Sequence, residues 1–415
     1  MDNQFDTDFD AEFFAGNRAR LRQLFTGTAP IVLTANGLLQ RSGDNAYKFK
    51  QDPSFWYFTG IDQPDILLVM DKGKEYLIVP QRDTVREAFD GAVDVEALTR
   101  RSGIETVLDE KAGWKQLAGR LRRAKYVATI APAAPYIEQM GLYTNPARAM
   151  LLRRVKESAE VELLDLRDHV SRLRSLKQPA ELTAIQRAID ITNDGIKYVT
   201  AKSRLAKYAF EYEVEADLTR QFRRDGSAGH AFEPIIVSGE RACTLHNLSM
   251  NGRLSADELL QLDVGAEVNG YAADISRSVS FGQPSSRQQA VHAAVCEVQD
   301  FALNLLKPGV ILADYEKAVE AFMGEKLREL GLIRSISREE VRRYYPHATS
   351  HFLGLDVHDI GDYRQPLEAG MVLTCEPGIY IPEEGLGVRI EDDILITADN
   401  NHNQNLSHRL SRELC

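Results

Sequence analysis

The fold of the C-terminal half is decided by the stretch Leu262-Asp263-Val264-Gly265-Ala266-Glu267-Val268-Asn269-Gly270-Tyr271-Ala272-Ala273-Asp274. Asn-Gly between two runs of apolar pattern is the strongest short signal for a β-hairpin. If Asn269 and Gly270 are the two turn residues, Val268 pairs with Tyr271, and this pairing sets the register of both strands. The stretch therefore predicts two antiparallel strands joined by a tight turn.

This register brings two carboxylates together. Asp274 lies opposite Gly265, whose missing side chain leaves room there, and Asp263 is two residues further along the same face. Diagonal neighbours on one face are roughly 7–8 Å apart, so both side chains can converge on one metal ion or a close pair of ions. The alternative is a solvated acidic face on an exposed hairpin. Apolar flanking residues weaken that alternative, because unpaired carboxylates in buried strands are costly. These residues are Leu259, Leu260, Leu262, Val264, Ile275 and Val279.

The rest of the C-terminal half has the pattern of an α+β domain. Apolar patterns rich in β-branched residues predict strands at 235–237, 259–268, 271–281, 371–376 and 388–396. Apolar residues at helical spacing predict helices around 182–196 and 214–222 and one further helix at 287–306. We expect these helices to group around an antiparallel sheet.

The first half has the pattern of a mixed α/β domain. Strands are predicted at 31–34 and 126–130, a hairpin at 65–79 and a helix at 114–121. A second helix is predicted from 158 to about 176, where it stops before Pro179. We therefore predict two domains, residues 1–174 and residues 175–415.

Composition excludes several classes of function. The chain has 415 residues and a formal net charge of −11, so it lacks a general attraction for nucleic acid or for anionic membranes. No apolar run is long enough for a membrane span, and the acidic N-terminus is unlike a secretory signal. The four cysteines are scattered without a CxxC pair, which predicts inert thiols. We expect a cytoplasmic protein with no nucleic-acid or membrane partner.

Three of the nine histidines, His347, His351 and His358, stand within twelve positions. Neutral imidazole is a good ligand for divalent metals, and histidine is also the commonest group for proton transfer. One of the three could bind a metal while its neighbours act on a substrate. For any single histidine, an ordinary core or surface position is the favoured alternative.

Two further carboxylates, Glu376 and Glu391, occur in apolar segments near the C-terminus. A period of two places Arg389 and Glu391 on one face of a predicted strand. A structural salt bridge from Arg389 to a nearby carboxylate is the simplest interpretation. It is compatible with a metal site, because carboxylates that bind metals are commonly held by a second polar group.

Together, Asp263, Asp274, His351, Glu376 and Glu391 occur in the order and context of the pita-bread metallopeptidases, and the sequence most resembles aminopeptidase P. The resemblance rests on Asp-Val-Gly-Ala-Glu-Val-Asn-Gly-Tyr-Ala-Ala-Asp-Ile-Ser-Arg, Ser-His-Phe-Leu-Gly-Leu-Asp-Val-His-Asp, Glu-Pro-Gly-Ile-Tyr and Val-Arg-Ile-Glu-Asp-Asp. Residues 47–60 are similar to the signature of the N-terminal domain of that family. The resemblance implies an α/β N-terminal domain and an α+β pita-bread catalytic domain with a curved, mainly antiparallel sheet.

The resemblance also implies a dinuclear metal site. Asp263, His351 and Glu376 would be terminal ligands, and Asp274 and Glu391 would bridge two divalent ions. The four carboxylates balance the charge of the two ions, and a bridging water or hydroxide would be the nucleophile. Oxygen-rich ligation with one imidazole suits Mn²⁺, and Co²⁺ or Zn²⁺ could replace it.

Five outer residues follow from the same resemblance. His246 and His358 would bind substrate and stabilise the tetrahedral intermediate, and His347 resembles a third histidine of the outer site. Arg389 would contact the ligand carboxylates, and Tyr380 matches the tyrosine of the active site. These five residues complete the predicted catalytic site.

The implied activity is hydrolysis of the N-terminal Xaa-Pro bond of peptides with proline at the second position. Prolidase, which shares the ligands and both domains but cleaves Xaa-Pro dipeptides, is the enzymatic alternative. A non-catalytic pita-bread binding module is a weaker alternative, because such proteins usually lack several of the ligands. The resemblance further implies a homo-oligomer, either a dimer or a tetramer.

Overall fold

The structure is a computed structural model that describes residues 9–132, 137, 140–399 and 402–414. Its internal contacts divide the chain into two compact units, one ending at Leu173 and one beginning at Arg174. Among the described residues, no helix combines the length and the apolar character needed to cross a membrane.

The N-terminal unit is built on a six-stranded mixed sheet. Its strands are β1 (Ile31–Thr34), β4 (Leu67–Asp71), β5 (Lys74–Val79), β6 (Val107–Asp109), β7 (Tyr126–Thr129) and β8 (Glu162–Asp165), in the spatial order β6-β5-β4-β1-β7-β8. A separate hairpin joins β2 (Gln40–Ser42) to β3 (Asn45–Ala46). The helices are α1 (Ala11–Leu24), α2 (Pro53–Thr59), α3 (Thr84–Asp90), α4 (Val95–Ser102), α5 (Glu110–Leu121), α6 (Ala147–Ser158) and α7 (Arg167–Ser175).

The sheet contains both antiparallel and parallel strand pairs. β4 pairs antiparallel with β1 and β5, whereas β6, β7 and β8 are joined to the sheet by parallel pairs. The predicted hairpin turns at Lys72 and Gly73, which both have a positive φ, as the favoured two-residue turn requires. Helix α5 packs Trp114 and Leu117 against β4 and β5. The α/β character predicted for this half is present.

The helix predicted from 158 to about 176 is wrong in its first half. Helix α6 ends at Ser158, strand β8 follows, and only Arg167–Ser175 is helical. Leu163 and Leu164 pair with Val127 and Ala128 of β7 in a parallel ladder. Tertiary pairing has overridden the local helical spacing of the leucines, as is common for strand residues.

The second unit contains the remaining elements. Its strands are β9 (Ile235–Ser238), β10 (Leu259–Val264), β11 (Glu267–Val268), β12 (Tyr271–Ala272), β13 (Ile275–Ser280), β14 (Val372–Cys375), β15 (Gly378–Ile381), β16 (Leu386–Arg389), β17 (Asp392–Leu395) and β18 (Gln404–Asn405). Its helices are α8 (Pro179–Thr200), α9 (Lys202–Leu205), α10 (Glu211–Arg224), α11 (Ser286–Leu305), α12 (Leu312–Glu329) and α13 (Arg338–Tyr344). The strand pairs among these elements are antiparallel.

The register predicted from the Asn-Gly turn is confirmed. Val268 pairs with Tyr271, and the same register continues beyond an interruption, where Asp263 pairs with Ser276. Helix α8 supports the hairpin, because Thr192 Oγ1 accepts a 2.9 Å hydrogen bond from the Ala266 backbone N. Helix α8 therefore holds the hairpin at its interruption.

Gly265 has a different role from the predicted one. We expected its missing side chain to leave room for Asp274, but a Cβ at Gly265 would lie 1.7 Å from the carbonyl oxygen of Ala273. The glycine is required for the close approach of two backbones.

In the second unit, three strands predicted as continuous are broken, and helices α9, α12 and α13 were not predicted. The predicted strands 259–268 and 271–281 each divide in two, and 388–396 divides into β16 and β17, which belong to different sheets. Helices α12 and α13 follow the one helix that we predicted after the early strands. The apolar stripe of α12 was readable in the sequence; its buried residues include Leu312, Tyr315, Val319, Met323 and Leu327.

The thiols agree with the prediction of inert cysteines as far as they are described. Cys243, Cys296 and Cys375 are free, and burial raises the pKa of each thiol. A raised pKa keeps the thiol protonated and therefore weakly reactive. Cys415 lies outside the described residues.

Candidate metal centre

Four carboxylates and one imidazole converge at the strand interruptions of the second unit. Asp263 lies within β10, Asp274 directly precedes β13, Glu376 directly follows β14, and Glu391 lies between β16 and β17. The loop before β14 supplies His351. Irregular backbone at a strand end can direct a side chain away from the regular ladder. The breaks in the strands therefore allow side chains from different sheets to meet.

Measured distances define the centre of this cluster. Donor atoms of Asp274, His351 and Glu391 all lie within 4.8 Å of one another. The Nε2 atom of His351 is 3.4 Å from Oδ2 of Asp274 and 3.3 Å from Oε1 of Glu376. The structure therefore brings these four predicted ligands together.

The contact made by Nδ1 of His351 determines which ring nitrogen carries the hydrogen. Nδ1 lies 3.1 Å from the carbonyl oxygen of Phe352, which can only accept, so we assign the hydrogen to Nδ1. Burial lowers the pKa of His351 to about 3, with smaller contributions from His358 and other neighbours, so the ring is neutral. The lone pair of Nε2 then faces carboxylate oxygens, and a cation between these acceptors would satisfy all of them.

The buried carboxylates also indicate that this cluster requires bound cations. Burial, followed by the charges of Asp263 and Glu376, raises the pKa of Asp274 well above its ordinary value. Burial and neighbouring carboxylates likewise raise the pKa values of Glu376 and Glu391. A group of buried acids that repel one another is stabilised by bound cations. The donor set fits hard divalent ions, as oxygen ligands with one imidazole do.

Arg389 contacts one of the clustered carboxylates directly and a second one through a serine. Its Nη2 donates to Oδ2 of Asp263, and its Nε donates a 3.1 Å hydrogen bond to Oγ of Ser276. Ser276 in turn donates a 2.7 Å hydrogen bond to Oε2 of Glu391. The predicted salt bridge of Arg389 is present, and its contact with Glu391 passes through Ser276.

Tyr380 lies between Arg389 and His347. The guanidinium Nη1 of Arg389 is 2.6 Å from the Tyr380 hydroxyl, and Nε2 of His347 is 2.9 Å from the same oxygen. On its other side, Nδ1 of His347 is 2.8 Å from the carbonyl oxygen of Ala348. Burial lowers the pKa of His347 to about 3, so we assign a neutral ring with its hydrogen on Nδ1.

His246 and His358 line the solvent side of the cluster. Both are exposed, and the ring centroid of His358 is 4.2 Å from that of His351. Surrounding protein lowers the pKa of His358, and the charge of His246 lowers it further. The charge of His246 also contributes to the lowered pKa of His347. All five predicted outer residues therefore lie around the predicted ligands.

Sequence reasoning missed two polar contacts of the cluster. Ser276 joins Arg389 to Glu391, and Oδ2 of Asp393 accepts a 3.1 Å hydrogen bond from the Asp274 backbone N. The hairpin register could have identified Ser276, because it pairs with Asp263. No sequence signal pointed to Asp393, since its contact depends on packing between β17 and the segment before β13.

Two family models match the chain. The model of metallopeptidase family M24 matches residues 183–398, and the model of the aminopeptidase P N-terminal domain matches residues 14–129. The chain belongs to metallopeptidase family M24, and it is a metallo-aminopeptidase. Its predicted fold, an α/β N-terminal domain with an α+β pita-bread domain, is confirmed.

Individual relatives agree with this classification. The chain is 31% identical to the Xaa-Pro aminopeptidase of Escherichia coli strain K12, over 94% of this chain and 93% of the relative. A structure of E. coli aminopeptidase P in a low-pH form superposes with a TM-score of 0.85 at 27% identity, covering 97% and 96% of the two chains. A zinc-substituted form of the E. coli enzyme in complex with product has a TM-score of 0.84 at 28% identity, with the same coverage. The resemblance to aminopeptidase P is confirmed.

Proposed function

We propose that the chain hydrolyses the N-terminal Xaa-Pro bond of peptides with two divalent metal ions as cofactor. The observation that carries the proposal is the convergence of the Nε2 lone pair of His351 with buried carboxylates, an arrangement of acceptors that calls for cations. Named relatives of nearly full length, which are Xaa-Pro aminopeptidases, support the choice of substrate.

The proposed ligands are the five predicted ones. Asp263, His351 and Glu376 would be terminal, and Asp274 and Glu391 would bridge. Two divalent ions held there would supply an activated water as nucleophile and polarisation of the scissile carbonyl. We propose Mn²⁺ as the native ion because of the oxygen-rich donor set, with Co²⁺ or Zn²⁺ able to replace it.

The outer residues can bind and orient the peptide. The neutral ring of His347 accepts from the Tyr380 hydroxyl, which itself accepts from Arg389. This directed chain holds the Tyr380 oxygen beside the carboxylates, where it can rotate its hydrogen toward a developing oxyanion. Exposed His246 and His358 are placed to meet the substrate from the solvent side.

Domain limits and assembly are part of the proposal. Residues 1–174 would form the aminopeptidase P-type N-terminal domain, and residues 175–415 would form the catalytic domain. A homo-oligomer, dimer or tetramer, a cytoplasmic location, and the lack of nucleic-acid and membrane partners stay predictions from the sequence.

The test is hydrolysis of a matched pair of substrates by protein stripped with a chelator and then restored with Mn²⁺. We expect metal-dependent release of the first residue from an Xaa-Pro-Yaa tripeptide. Cleavage of the Xaa-Pro dipeptide alone would overturn the proposal in favour of prolidase. Cleavage of neither would contradict hydrolysis at this site altogether.

A further inference from the structure

One carboxylate outside the proposed ligand set fixes the segment between two of the site histidines. Glu316, on helix α12, accepts hydrogen bonds from the backbone of Thr349 (2.9 Å to Oε2) and of Ser350 (3.0 Å to Oε1). The Thr349 hydroxyl donates a third, 3.0 Å bond to Oε2. Thr349 and Ser350 lie between His347 and His351, so one side chain restrains the backbone that carries both rings.

The same segment is linked to a third member of the site. The Glu376 backbone N donates a 2.8 Å hydrogen bond to the carbonyl oxygen of Thr349. The Thr374 backbone N donates a 3.0 Å bond to the carbonyl oxygen of His351. A shift of Thr349 away from Glu316 would therefore displace the backbone of Glu376 as well as the two histidines.

Water cannot easily replace Glu316 in this position. Thr349 is 0% exposed and Ser350 is 3% exposed, so their backbone N–H groups would remain unsatisfied without a protein acceptor. Leaving a buried donor without an acceptor is destabilising. Hydroxyl contacts from Tyr345 to Thr349 and from Tyr315 to Ser350 restrain the side chains of the segment, but neither contact satisfies these N–H groups.

We propose that Glu316 is a positioning residue that holds His347, His351 and Glu376 in the arrangement required for metal binding and hydrolysis. It touches neither substrate nor metal and acts through Thr349 and Ser350. The inference deepens the proposed function and rests on it.

Substitution of Glu316 by glutamine would break the contacts that hold this segment. A glutamine at 316 would have a similar shape but only one acceptor oxygen, and its amide N–H₂ would face backbone donors. Replacing groups that orient metal ligands typically weakens metal binding about 10–100-fold.

The experiment compares Mn²⁺ affinity, measured by competition with a fluorescent chelator, in wild type, Glu316→Gln and a matched control. The control is Glu329→Gln on the same helix, because Glu329 is exposed and pairs only with Lys326 in the described contacts. We expect Glu316→Gln to bind Mn²⁺ about 10–100-fold more weakly than wild type, with the control unchanged. Equal affinity of Glu316→Gln and wild type would overturn the inference.

A second pair of variants covers the case in which Glu316→Gln does not fold. Thr349→Val removes the hydroxyl that bonds to Glu316, whereas Thr349→Ser retains it. We expect weaker Mn²⁺ binding in Thr349→Val and recovery in Thr349→Ser; equal affinities of both with wild type would contradict the role of Glu316.

Failure of the proposed function gives a different result. If wild type itself binds no Mn²⁺, Co²⁺ or Zn²⁺, the metal site is wrong. If wild type binds metal and Glu316→Gln binds it equally well, only the positioning role is wrong. As a second readout, kcat of Glu316→Gln at saturating Mn²⁺ should stay below that of wild type, because His347 is displaced even when the metal is restored.

Discussion

The guanidinium of Arg389 donates a 2.6 Å hydrogen bond to the hydroxyl oxygen of Tyr380. Because that oxygen accepts from Arg389, the tyrosine is free to donate its own hydrogen to Nε2 of His347, 2.9 Å away. Burial raises the pKa of Tyr380, so the hydroxyl keeps its hydrogen at neutral pH. The position of one arginine thus determines the direction of a hydrogen-bond chain that crosses the site.

Tyr380→Phe should lower kcat/KM for an Xaa-Pro-Yaa tripeptide about 10²-fold, a typical loss for one donor to a developing oxyanion. Mn²⁺ affinity should change little, because Tyr380 is outside the proposed ligand set. Steady-state kinetics and metal titration measure the two effects. Tyr212→Phe, at an exposed position, is the control, and an unchanged kcat/KM in Tyr380→Phe would exclude a catalytic role.

Asp274→Ala and Glu391→Ala should each abolish hydrolysis, because each variant removes a proposed bridging ligand and empties at least one metal position. Metal analysis after dialysis should find fewer than two ions per chain. Asp314→Ala, an exposed acid on α12, should retain both ions. Full activity of either variant together with metal loss would contradict the two-metal mechanism.

Metal removal should make stability fall as pH rises. The raised pKa values of Asp274, Glu376 and Glu391 mean that the metal-free folded state binds more protons than the unfolded state above about pH 4. Its stability is therefore lost progressively as pH increases toward those raised values. We expect the difference in Tm between Mn²⁺-loaded and chelated protein to grow from pH 5 to pH 8.

A variant separates this electrostatic effect from other consequences of chelation. Asp274→Asn removes one of the repelling charges, so it should raise the Tm of the chelated protein and lower that of the loaded protein at pH 8. Differential scanning calorimetry in the two conditions gives the sign directly. A lower Tm in both conditions would mean that repulsion among the buried acids does not limit the stability of the chelated protein.

Asp359→Asn should strongly lower the stability of the second unit at neutral pH. Asp359 contacts two buried cations, Arg174 and Lys177, and removal of one member of a buried ion pair costs about 3–5 kcal/mol. The loss should appear as a lower Tm. Asp362→Asn, which removes a surface carboxylate that pairs with exposed Arg364, should differ little from wild type.

The pH dependence of this effect follows from the pKa of Asp359. Burial acts to raise that pKa, but Arg174 and Lys177 outweigh burial and hold it below its ordinary value. The stabilisation is therefore present above the unfolded pKa of about 4 and is lost as pH falls through the lower folded value. The gap in Tm between wild type and Asp359→Asn should narrow in acid, and a constant gap would contradict the charged pair.

Gly265→Ala should disrupt the hairpin, because the new Cβ would lie 1.7 Å from the Ala273 carbonyl oxygen. Overpacking of this kind costs about 1–3 kcal/mol or more, and the backbone shift should also weaken Mn²⁺ binding at the adjacent Asp274. Gly119→Ala, on helix α5 with open space around it, should be neutral or stabilise by about 0.5–1 kcal/mol. Thermal unfolding of the two variants measures the contrast.

Local sequence was sufficient wherever neighbouring residues along the chain decide the structure. The Asn269-Gly270 turn determined the register that pairs Asp263 with Ser276, because a two-residue turn leaves no freedom in strand pairing. Motif order identified the candidate ligands and the family. The strand at Glu162–Asp165 could not be predicted in this way, because its ladder with β7 depends on residues 36 positions earlier.

The geometry of the site could be obtained only from the tertiary structure. The sequence placed Arg389 and Glu391 on one face of a continuous strand, but the strand breaks between them and Ser276 joins them instead. Glu316 carried no signal, since its partners Thr349 and Ser350 are more than thirty positions away. The sequence by itself determined which groups could bind metal, through their chemical types and the hairpin register. Only packing between separate sheets and helices decided how those groups are oriented, because hydrogen-bond directions and burial depend on contacts that are distant along the chain.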